Sequence, residues 1–403
     1  MIWHNKNRPF NKEQHAPDWS ILVLTIILSL FGLLVIADAS AIVAQIDFGD
    51  QFYYLKRQAT WLTISFALMT IMALSHYRKF KRWGILLIMV SLASLAAVLI
   101  PGLGTKRLGA QRWLGIGPLS FQPSELAKLA LVVWGASFFD YLPFQKKTKN
   151  VTINEKINRQ KPHLKPFWPF LSVLFLTAVL TILEPDLGTT IVIIATGFCL
   201  CFLAKIPSWK MLLLLLLGLG IILGLIITSP YRRDRLTTFI NPSQDPQGIS
   251  YHAQQILIAL GSGGLLGQGI GQGKQKYAYL PEVVTDSIFA IVAEELGFIG
   301  AAALIVLLAL LVFRCLKLSF SAPDLFGQLI CAGIGMLIAI QTMINLGSIV
   351  GIFPLTGIPL PLISYGGSSL VITLTGLGMV LSVSRCRIRE RKPNKPQPTK
   401  RRQ

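Results

Sequence analysis

The chain alternates long apolar runs with short polar segments over almost its whole length. Runs of about 20 mostly apolar residues are typical of helices that cross a bilayer. The segments between them contain Gly, Pro and basic residues, which separate one helix from the next. The pattern predicts an all-α polytopic membrane protein with about ten transmembrane helices, at residues 20–38, 58–75, 83–101, 122–142, 167–183, 187–204, 211–228, 286–313, 325–346 and 366–384.

Lys and Arg in the connecting segments predict the orientation, because they are enriched on the cytoplasmic side. With a cytoplasmic N-terminus, the inside segments hold 27 of the 38 basic residues and the outside segments hold 10. Both termini are therefore expected in the cytoplasm: residues 1–18 as a short N-terminal segment, 19–384 as the membrane domain and 385–403 as a basic disordered tail. Residues 229–285 form a large extracytoplasmic loop before helix eight, in which 250–260 could be a short amphipathic interfacial helix.

Composition supports this class of protein. The chain is 53% hydrophobic and 14% charged, whereas a soluble domain carries about a quarter charged residues. The net charge of +20 is explained by cytoplasmic segments that meet anionic headgroups, so membrane lipids are expected partners and nucleic acid is not. The five cysteines lie in apolar runs or at basic helix ends, which predicts neither a disulfide framework nor a zinc site.

The segment 279–300, YLPEVVTDSIFAIVAEELGFIG, is unusual because it keeps four carboxylates in or beside an apolar run. Glu282 precedes the run, and Asp286 begins it, where the helix dipole favours a charged carboxylate. Glu294 and Glu295 lie two to three turns deeper and need partners or protonation. They either hold helices together or belong to a site, and the sequence alone leaves both interpretations open.

The segment GAQRWLGIGPLSFQPSELAKLAL, residues 109–131, places charges at another helix start. Pro123 suits the first helical turn, and Glu125 and Lys128 then lie three residues apart on one face. Arg112 precedes them in the loop. The pattern indicates either an ion pair at a helix end or a polar wall that contacts an anionic headgroup.

A third segment, ILEPDLGTT at residues 182–190, puts Glu184 and Asp186 between two apolar runs with almost no connecting loop. Pro185 interrupts the helix and frees backbone groups that protein or water must satisfy. A tight outer turn and a polar cavity open to the outside are both compatible with this pattern. Ionisable groups at such positions are site candidates.

The glycine-rich run from Gly261 to Gly273 does not match a phosphate-binding loop, because Gln268 and Gln275 stand where that motif needs other residues. It predicts either a flexible hinge or a close approach of the backbone to a ligand.

These segments together predict a polar site at the outer leaflet, suited to an amphiphile whose tail stays in the bilayer. No Ser-His-Asp pattern is visible, since His252 is the single histidine on the predicted outer face. The residues expected there are Arg112, Glu125, Lys128, Asp186, Glu282 and Asp286.

The same segments, with NLGSIVGIFPLTGIPLPLISYGGSSL near the C-terminus, resemble the SEDS family (shape, elongation, division and sporulation proteins) of lipid II polymerases over nearly all ten spans. YRRDRLTTFINPSQDPQGISYHAQQ and LISYGGSSL resemble the division branch, FtsW, whereas LEPDLGTT is closer to the elongation branch, RodA. The division branch is favoured.

The resemblance implies glycosyl transfer from a polyprenyl diphosphate to the 4-hydroxyl of lipid II, with undecaprenyl diphosphate as leaving group. Asp286 occupies the position of the family's proposed catalytic aspartate, and its expected role is that of the general base. Arg112, Glu125, Lys128, Asp186 and Glu282 are expected to contact substrate. The family usually has a basic residue at Val284 and Phe at Ser287.

The implied partners are lipid II and the growing glycan strand, a class B penicillin-binding protein and other division proteins, at the septum of the cell membrane. A divalent cation, Mg²⁺ or Mn²⁺, or else Arg112 or Lys128, could offset charge on the departing diphosphate. The alternatives are an elongation-type polymerase, a lipid II flippase and a non-catalytic scaffold of the division complex.

Overall fold

The computed structural model describes residues 15–107, 110–116, 119–141, 167–228, 239, 249–277 and 283–386. Ten of the helices in these ranges coincide with the ten predicted spans, and an eleventh covers the predicted amphipathic segment. The helices are α1 Trp19–Phe48, α2 Tyr53–Leu74, α3 Arg78–Leu99, α4 Pro123–Tyr141, α5 Phe167–Leu183, α6 Leu187–Leu203, α7 Ser208–Thr228, α8 Ile249–Ser262, α9 Ile288–Ser321, α10 Leu325–Ile349 and α11 Gly367–Arg385.

Five helices, α1, α3, α9, α10 and α11, are long and apolar enough to cross a membrane, and three shorter apolar helices lie in the α5–α7 region. Six leucines of α7 are exposed, as expected for contact with lipid: Leu212, Leu213, Leu215, Leu216, Leu217 and Leu219. Helix α4 is different, because most of its circumference is buried, including Glu125 and Lys128. It therefore lies at the centre of the bundle.

The two ends of the described chain lie together. The Asp18 backbone N–H donates to Ser384 Oγ at 3.0 Å, and the Asp18 carboxylate accepts from Arg314 Nη2 at 3.0 Å. Asp18 also caps α1, because its Oδ1 accepts from the Ser20 N–H at 3.0 Å. The starts of α1 and the ends of α9 and α11 therefore share one end of the bundle, as expected when both termini are on one side.

A three-stranded antiparallel sheet between α3 and α4 was not predicted. It consists of β1 Gly104–Arg107, β2 Ala110–Ile116 and β3 Leu119–Phe121, in the order β1-β2-β3. The Gln111 side chain on β2 donates to the Val98 carbonyl on α3 at 2.9 Å. The sheet places Arg112 beside the turn between α5 and α6.

Helix α9 is longer than its predicted span and is broken inside it. Gly297 has φ 67° and ψ −169°, which is not helical. Helix α1 also extends about ten residues past its predicted end, to Phe48, and is capped by Gly49 at φ 69°. Glycine at a left-handed C-cap avoids the steric cost that a Cβ would bring.

Candidate functional site

Asp286 ends a turn just before α9 and is partly exposed. Asn345 on α10 donates from Nδ2 to the Asp286 carbonyl at 2.9 Å. Thr285 Oγ1 donates to Asp286 Oδ1 at 3.3 Å. The backbone of Asp286 is thus attached to a buried helix, whereas its carboxylate stands at a partly open position.

The chain between α10 and α11 passes directly beside Asp286. Asn345 Nδ2 donates a second hydrogen bond to the Ile358 carbonyl at 2.8 Å, and Gln341 Nε2 donates to the Pro359 carbonyl at 3.0 Å. A Cβ at Gly357 would lie 4.0 Å from Asp286 Oδ2. Residues 357–359 therefore lie against Asp286 and are positioned by two amides of α10.

Glu125 and Lys128 form a buried ion pair of 2.8 Å, with Glu125 3% and Lys128 1% exposed. The Lys128 ammonium also donates to Gln341 Oε1 at 3.0 Å. This confirms an ion pair, but one that joins α4 to α10 in the interior of the bundle. Direct contact of Lys128 with an anionic headgroup stays a prediction.

The tight turn between α5 and α6 is confirmed. Asp186 caps α6, because Oδ1 accepts from the Thr189 N–H at 3.0 Å and Oδ2 accepts from Thr189 Oγ1 at 2.8 Å. Gln122, just before α4, donates to the same Oδ2 at 3.1 Å. Arg112 Nε donates to the Glu184 carbonyl at 3.0 Å. Asp186 is therefore saturated with donors, and Arg112 binds the backbone of its turn.

Glu184, in the turn outside both helices, has a fully buried side chain. Within the described ranges neither of its carboxylate oxygens has a hydrogen-bond partner. The pKa of Glu184 is raised to about 8, chiefly by burial and then by the Asp186 carboxylate, while Arg112 acts in the opposite direction. A neutral carboxyl needs no counter-ion in a buried position, so protonation resolves the cost of burying this group.

The same residues between α10 and α11 also contact the start of α6. A Cβ on Gly188 would lie 2.8 Å from Ile358 Cγ1 and 2.9 Å from the Thr356 carbonyl. Residues 356–359 therefore contact the α6 cap and Asp286, and through Gln341 they connect to the buried ion pair. The structure thus gathers four predicted site residues, Glu125, Lys128, Asp186 and Asp286, around one segment, and Arg112 joins them through the turn. Glu282 lies outside the described residues.

Gln341 and Asn345 are site residues that the sequence analysis missed. A signal was present, since both are polar and four apart in an apolar run, which places them on one face of α10. His252 on α8 was also missed: its Nε2 lies 2.7 Å from Ser287 Oγ.

Glu294 and Glu295 belong to a different arrangement. The Glu294 carboxylate accepts the Lys274 N–H at 2.8 Å and the Gln275 N–H at 3.3 Å. Glu295 Oε1 forms a 2.8 Å ion pair with Lys276, whose ammonium also lies 2.8 Å from Asp38 on α1. The structure therefore favours the first interpretation, in which these carboxylates hold segments of the chain together. The positive charge that pairs with Glu295 is supplied by Lys276, in the segment before α9.

The glycine-rich run approaches the protein's own backbone closely. Cβ atoms on Gly263 and Gly267 would lie 2.0 and 2.1 Å from the carbonyls of Ala293 and Glu295. The Phe298 N–H donates to the Gly264 carbonyl at 2.9 Å, just past the break at Gly297. Close approach was one of the two open interpretations, but here the partner is α9. We name residues 263–277, which Glu294 and Glu295 bind, the glycine loop.

Comparison with known proteins places this geometry in a family. The family model for the cell cycle proteins FtsW, RodA and SpoVE matches residues 18–388. Stage V sporulation protein E of Bacillus subtilis is 39% identical over 370 residues, covering 92% of this chain and 97% of that protein. The protein named "Probable peptidoglycan glycosyltransferase FtsW" of Trichlorobacter lovleyi is 35% identical over 382 residues, covering 94% and 95%.

Solved structures agree. A chain of a peptidoglycan synthase complex, described as coordinating polymerization and crosslinking, matches with a TM-score of 0.72 and 29% identity, covering 92% of this chain and 98% of that one. The rod shape determining protein RodA of Thermus thermophilus matches with a TM-score of 0.66 and 27% identity, covering 93% and 99%. The chain therefore belongs to the FtsW, RodA and SpoVE family of multi-pass membrane proteins.

Proposed function

We propose that this protein is a peptidoglycan glycosyltransferase that polymerises lipid II, with Asp286 as general base. Relatives of similar length carry the name peptidoglycan glycosyltransferase FtsW. The observation that carries the assignment of Asp286 is its placement: a partly exposed carboxylate whose backbone is held by a buried amide of α10 at 2.9 Å. A base needs both a fixed position and access to the hydroxyl that it deprotonates.

In the proposed reaction, Asp286 takes the proton of the acceptor's 4-hydroxyl as that oxygen bonds to the anomeric carbon of the donor. The bond from that carbon to the diphosphate oxygen breaks, and the diphosphate leaves with the electron pair. A diphosphate needs no protonation to leave, so a single carboxylate suffices, unlike the paired carboxylates of glycosidases.

Arg112 is the group we assign to the departing diphosphate. A guanidinium carries five N–H donors, and those on Nε and Nη2 bind the carbonyls of Glu184 and Pro185. These two hydrogen bonds place the planar guanidinium at the turn, beside the start of α6. The Lys128 ammonium is enclosed between Glu125 and Gln341, so we give Lys128 the role of holding α4 against α10.

We further propose that a divalent cation binds the diphosphate of the substrate. Within the described residues, no three His, Cys, Asp or Glu side chains are grouped so as to hold a metal ion. The described residues therefore do not form a site for a resident metal ion, and no step of the proposed reaction involves one. Strand synthesis with added Mg²⁺ or Mn²⁺ and after chelation tests the requirement.

The test of the assignment uses purified protein and lipid II in detergent, with Asp286→Asn and the control Asp50→Asn. Asp50 is an exposed carboxylate paired with Lys56 at 2.7 Å. Loss of a general base lowers the rate by about 10²–10⁴-fold, so Asp286→Asn should make no detectable strands while Asp50→Asn keeps the wild-type rate. Strand synthesis by Asp286→Asn near the wild-type rate would contradict the assignment.

The same assay separates a polymerase from a flippase or a scaffold, since neither of those makes glycan strands without a membrane. We further propose a class B penicillin-binding protein as partner and the division septum as location, with FtsW-type division favoured over RodA-type elongation. The likeness to a chain of a peptidoglycan synthase complex supports the partner. Co-purification and rescue of an FtsW-depleted rather than a RodA-depleted strain test these proposals.

A further inference from the structure

The start of α9 lacks the contact that its sequence favours. Ser287 is the N-cap residue, and a serine there normally accepts a hydrogen bond from a backbone N–H of the first turn. In this structure the Ser287 side chain makes no such cap contact. Its hydroxyl lies instead 2.7 Å from Nε2 of His252.

This hydrogen bond comes from a separate part of the chain. His252 belongs to α8, in the long segment before α9, and Ser287 is fully buried. This part-buried contact joins residues 35 apart in sequence, so it ties the start of α9 to another helix, which a local cap does not do. Two flanking apolar residues, Ile256 and Ala259, are buried and keep α8 in place.

Asp286 is thereby held on two sides. Its carbonyl accepts a hydrogen bond from Asn345 on α10 at 2.9 Å, and the next residue is tied to α8 through His252. The φ and ψ angles at this junction set the direction of the Cα–Cβ bond of Asp286 and limit the rotamers of its side chain. A residue that fixes the junction therefore restricts where the carboxylate can point.

We propose that His252 is a positioning residue for polymerisation: its Nε2 holds Ser287 Oγ and so orients the Asp286 carboxylate toward the acceptor hydroxyl. This inference rests on the proposed function. It also gives a role to the buried hydroxyl of Ser287.

The experiment measures kcat and KM for strand synthesis, and Tm, for seven proteins: the wild type, Asp286→Asn, His252→Ala, His252→Gln, Ser287→Ala, the His252→Ala/Ser287→Ala double variant and Ser262→Ala. Gln places its amide near the position of Nε2 and can keep the hydrogen bond. Ser262→Ala is the matched control, because Ser262 is also on α8 and its hydroxyl binds only the carbonyl of Ala259 within that helix at 3.0 Å, as far as the described contacts show.

A small displacement of a catalytic group lowers the rate by about tenfold to a hundredfold. We expect His252→Ala to lower kcat by about tenfold with KM within about twofold, and His252→Gln to recover most of the loss. The double variant should be no worse than either single variant, because both remove the same contact. Ser262→Ala should match the wild type.

The outcomes separate the two proposals. If the wild type makes strands and Asp286→Asn does not, the function stands. A His252→Ala kcat within twofold of wild type, equal losses for Ala and Gln, or additive losses in the double variant then overturn the positioning role alone. A kcat that falls only in step with Tm overturns it as well. If the wild type makes no strands, both proposals fall together.

Discussion

The carboxylates just before α9 and inside it differ although they lie within three turns of each other. Asp286, two residues before the helix, is partly exposed and is held through its backbone carbonyl. Glu294 and Glu295 are 1% and 6% exposed, and their carboxylates accept backbone N–H groups and an ammonium of the glycine loop. The same side-chain chemistry is therefore partly open before the helix and enclosed by partners within it.

The difference shows how a membrane protein can keep carboxylates near its apolar layer. A buried carboxylate is tolerated when hydrogen bonds and a counter-ion replace water. A carboxylate that must accept a proton keeps an open side and takes its rigidity from the backbone. Lys276 illustrates the first case: burial alone lowers its pKa, but hydrogen bonds to Asp38 and Glu295 raise it above the usual value for lysine.

The largest effect on stability is expected from Lys276→Met, which leaves the Asp38 and Glu295 carboxylates without their shared ammonium. Removing one partner of a buried ion pair costs roughly 3–5 kcal/mol. Asp286→Asn is the control, because it should lose activity with little change in Tm. Thermal unfolding in detergent measures both. A Lys276→Met protein as stable as wild type would contradict the architectural role of Glu295.

Gly267→Ala should come next, because the new Cβ would lie 2.1 Å from the Glu295 carbonyl, with Gly267 at φ 83°. The glycine loop then has to separate from α9, and Tm should fall by more than the conformational strain alone explains. Gly264→Ala is the matched control, since Gly264 also has positive φ, 55°, but no atom of the described residues lies within 4 Å of the added Cβ. For that variant only the conformational strain of about 1–2 kcal/mol is expected. Equal losses for both variants would show that close approach is unimportant.

Glu184 supplies a third kind of carboxylate and a pH-dependent test. Its folded-state pKa of about 8 is above 4.5, the usual value for a glutamate. The folded protein therefore holds a proton that the unfolded chain has released between these values, so stability falls as pH rises from about 4.5 to about 8. Below this pH range Glu184 is protonated in both the folded and the unfolded state, and its contribution to stability is fully present.

Glu184→Gln removes the ionisable group, so the Tm of this variant should rise relative to the Tm of the wild type as the pH increases. We expect the difference in Tm between Gln variant and wild type to be larger at pH 8.5 than at pH 6, with Asp50→Asn as a variant whose difference stays flat over that range. A difference that stays the same from pH 6 to pH 8.5 would mean that Glu184 is already charged in the folded protein.

The smallest effect on stability, but a selective one on rate, is expected from Gly357→Ala. Gly357 has φ 71°, and the new methyl group would contact Asp286 Oδ2 at 4.0 Å. Gly351→Ala is matched to it, with φ 75° and no atom of the described residues within 4 Å of the added Cβ. Both variants should lose about 1–2 kcal/mol of stability, and only Gly357→Ala should lower kcat for strand synthesis. If both variants keep the wild-type kcat, residues 357–359 do not border the reacting groups.

Much of the fold was available from the sequence, because hydropathy and charge are properties of consecutive residues. Ten spans, the amphipathic helix and the carboxylate at the start of α9 follow from local pattern. The sheet between α3 and α4 was missed, since its short strands carry no clear alternation. The contacts of Asn345 and Gln341 could be suspected from their shared helix face, but their partners could not.

The sequence by itself determined that this chain is a ten-span helical bundle with acidic groups gathered toward one side. Only the tertiary structure decided which carboxylates are saturated and which stays accessible. The reason is physical: the partner of a buried charge is chosen by packing between segments far apart in the chain, as Lys276 with Asp38, 238 residues apart, shows. Hydropathy, in contrast, is set by neighbours along the chain.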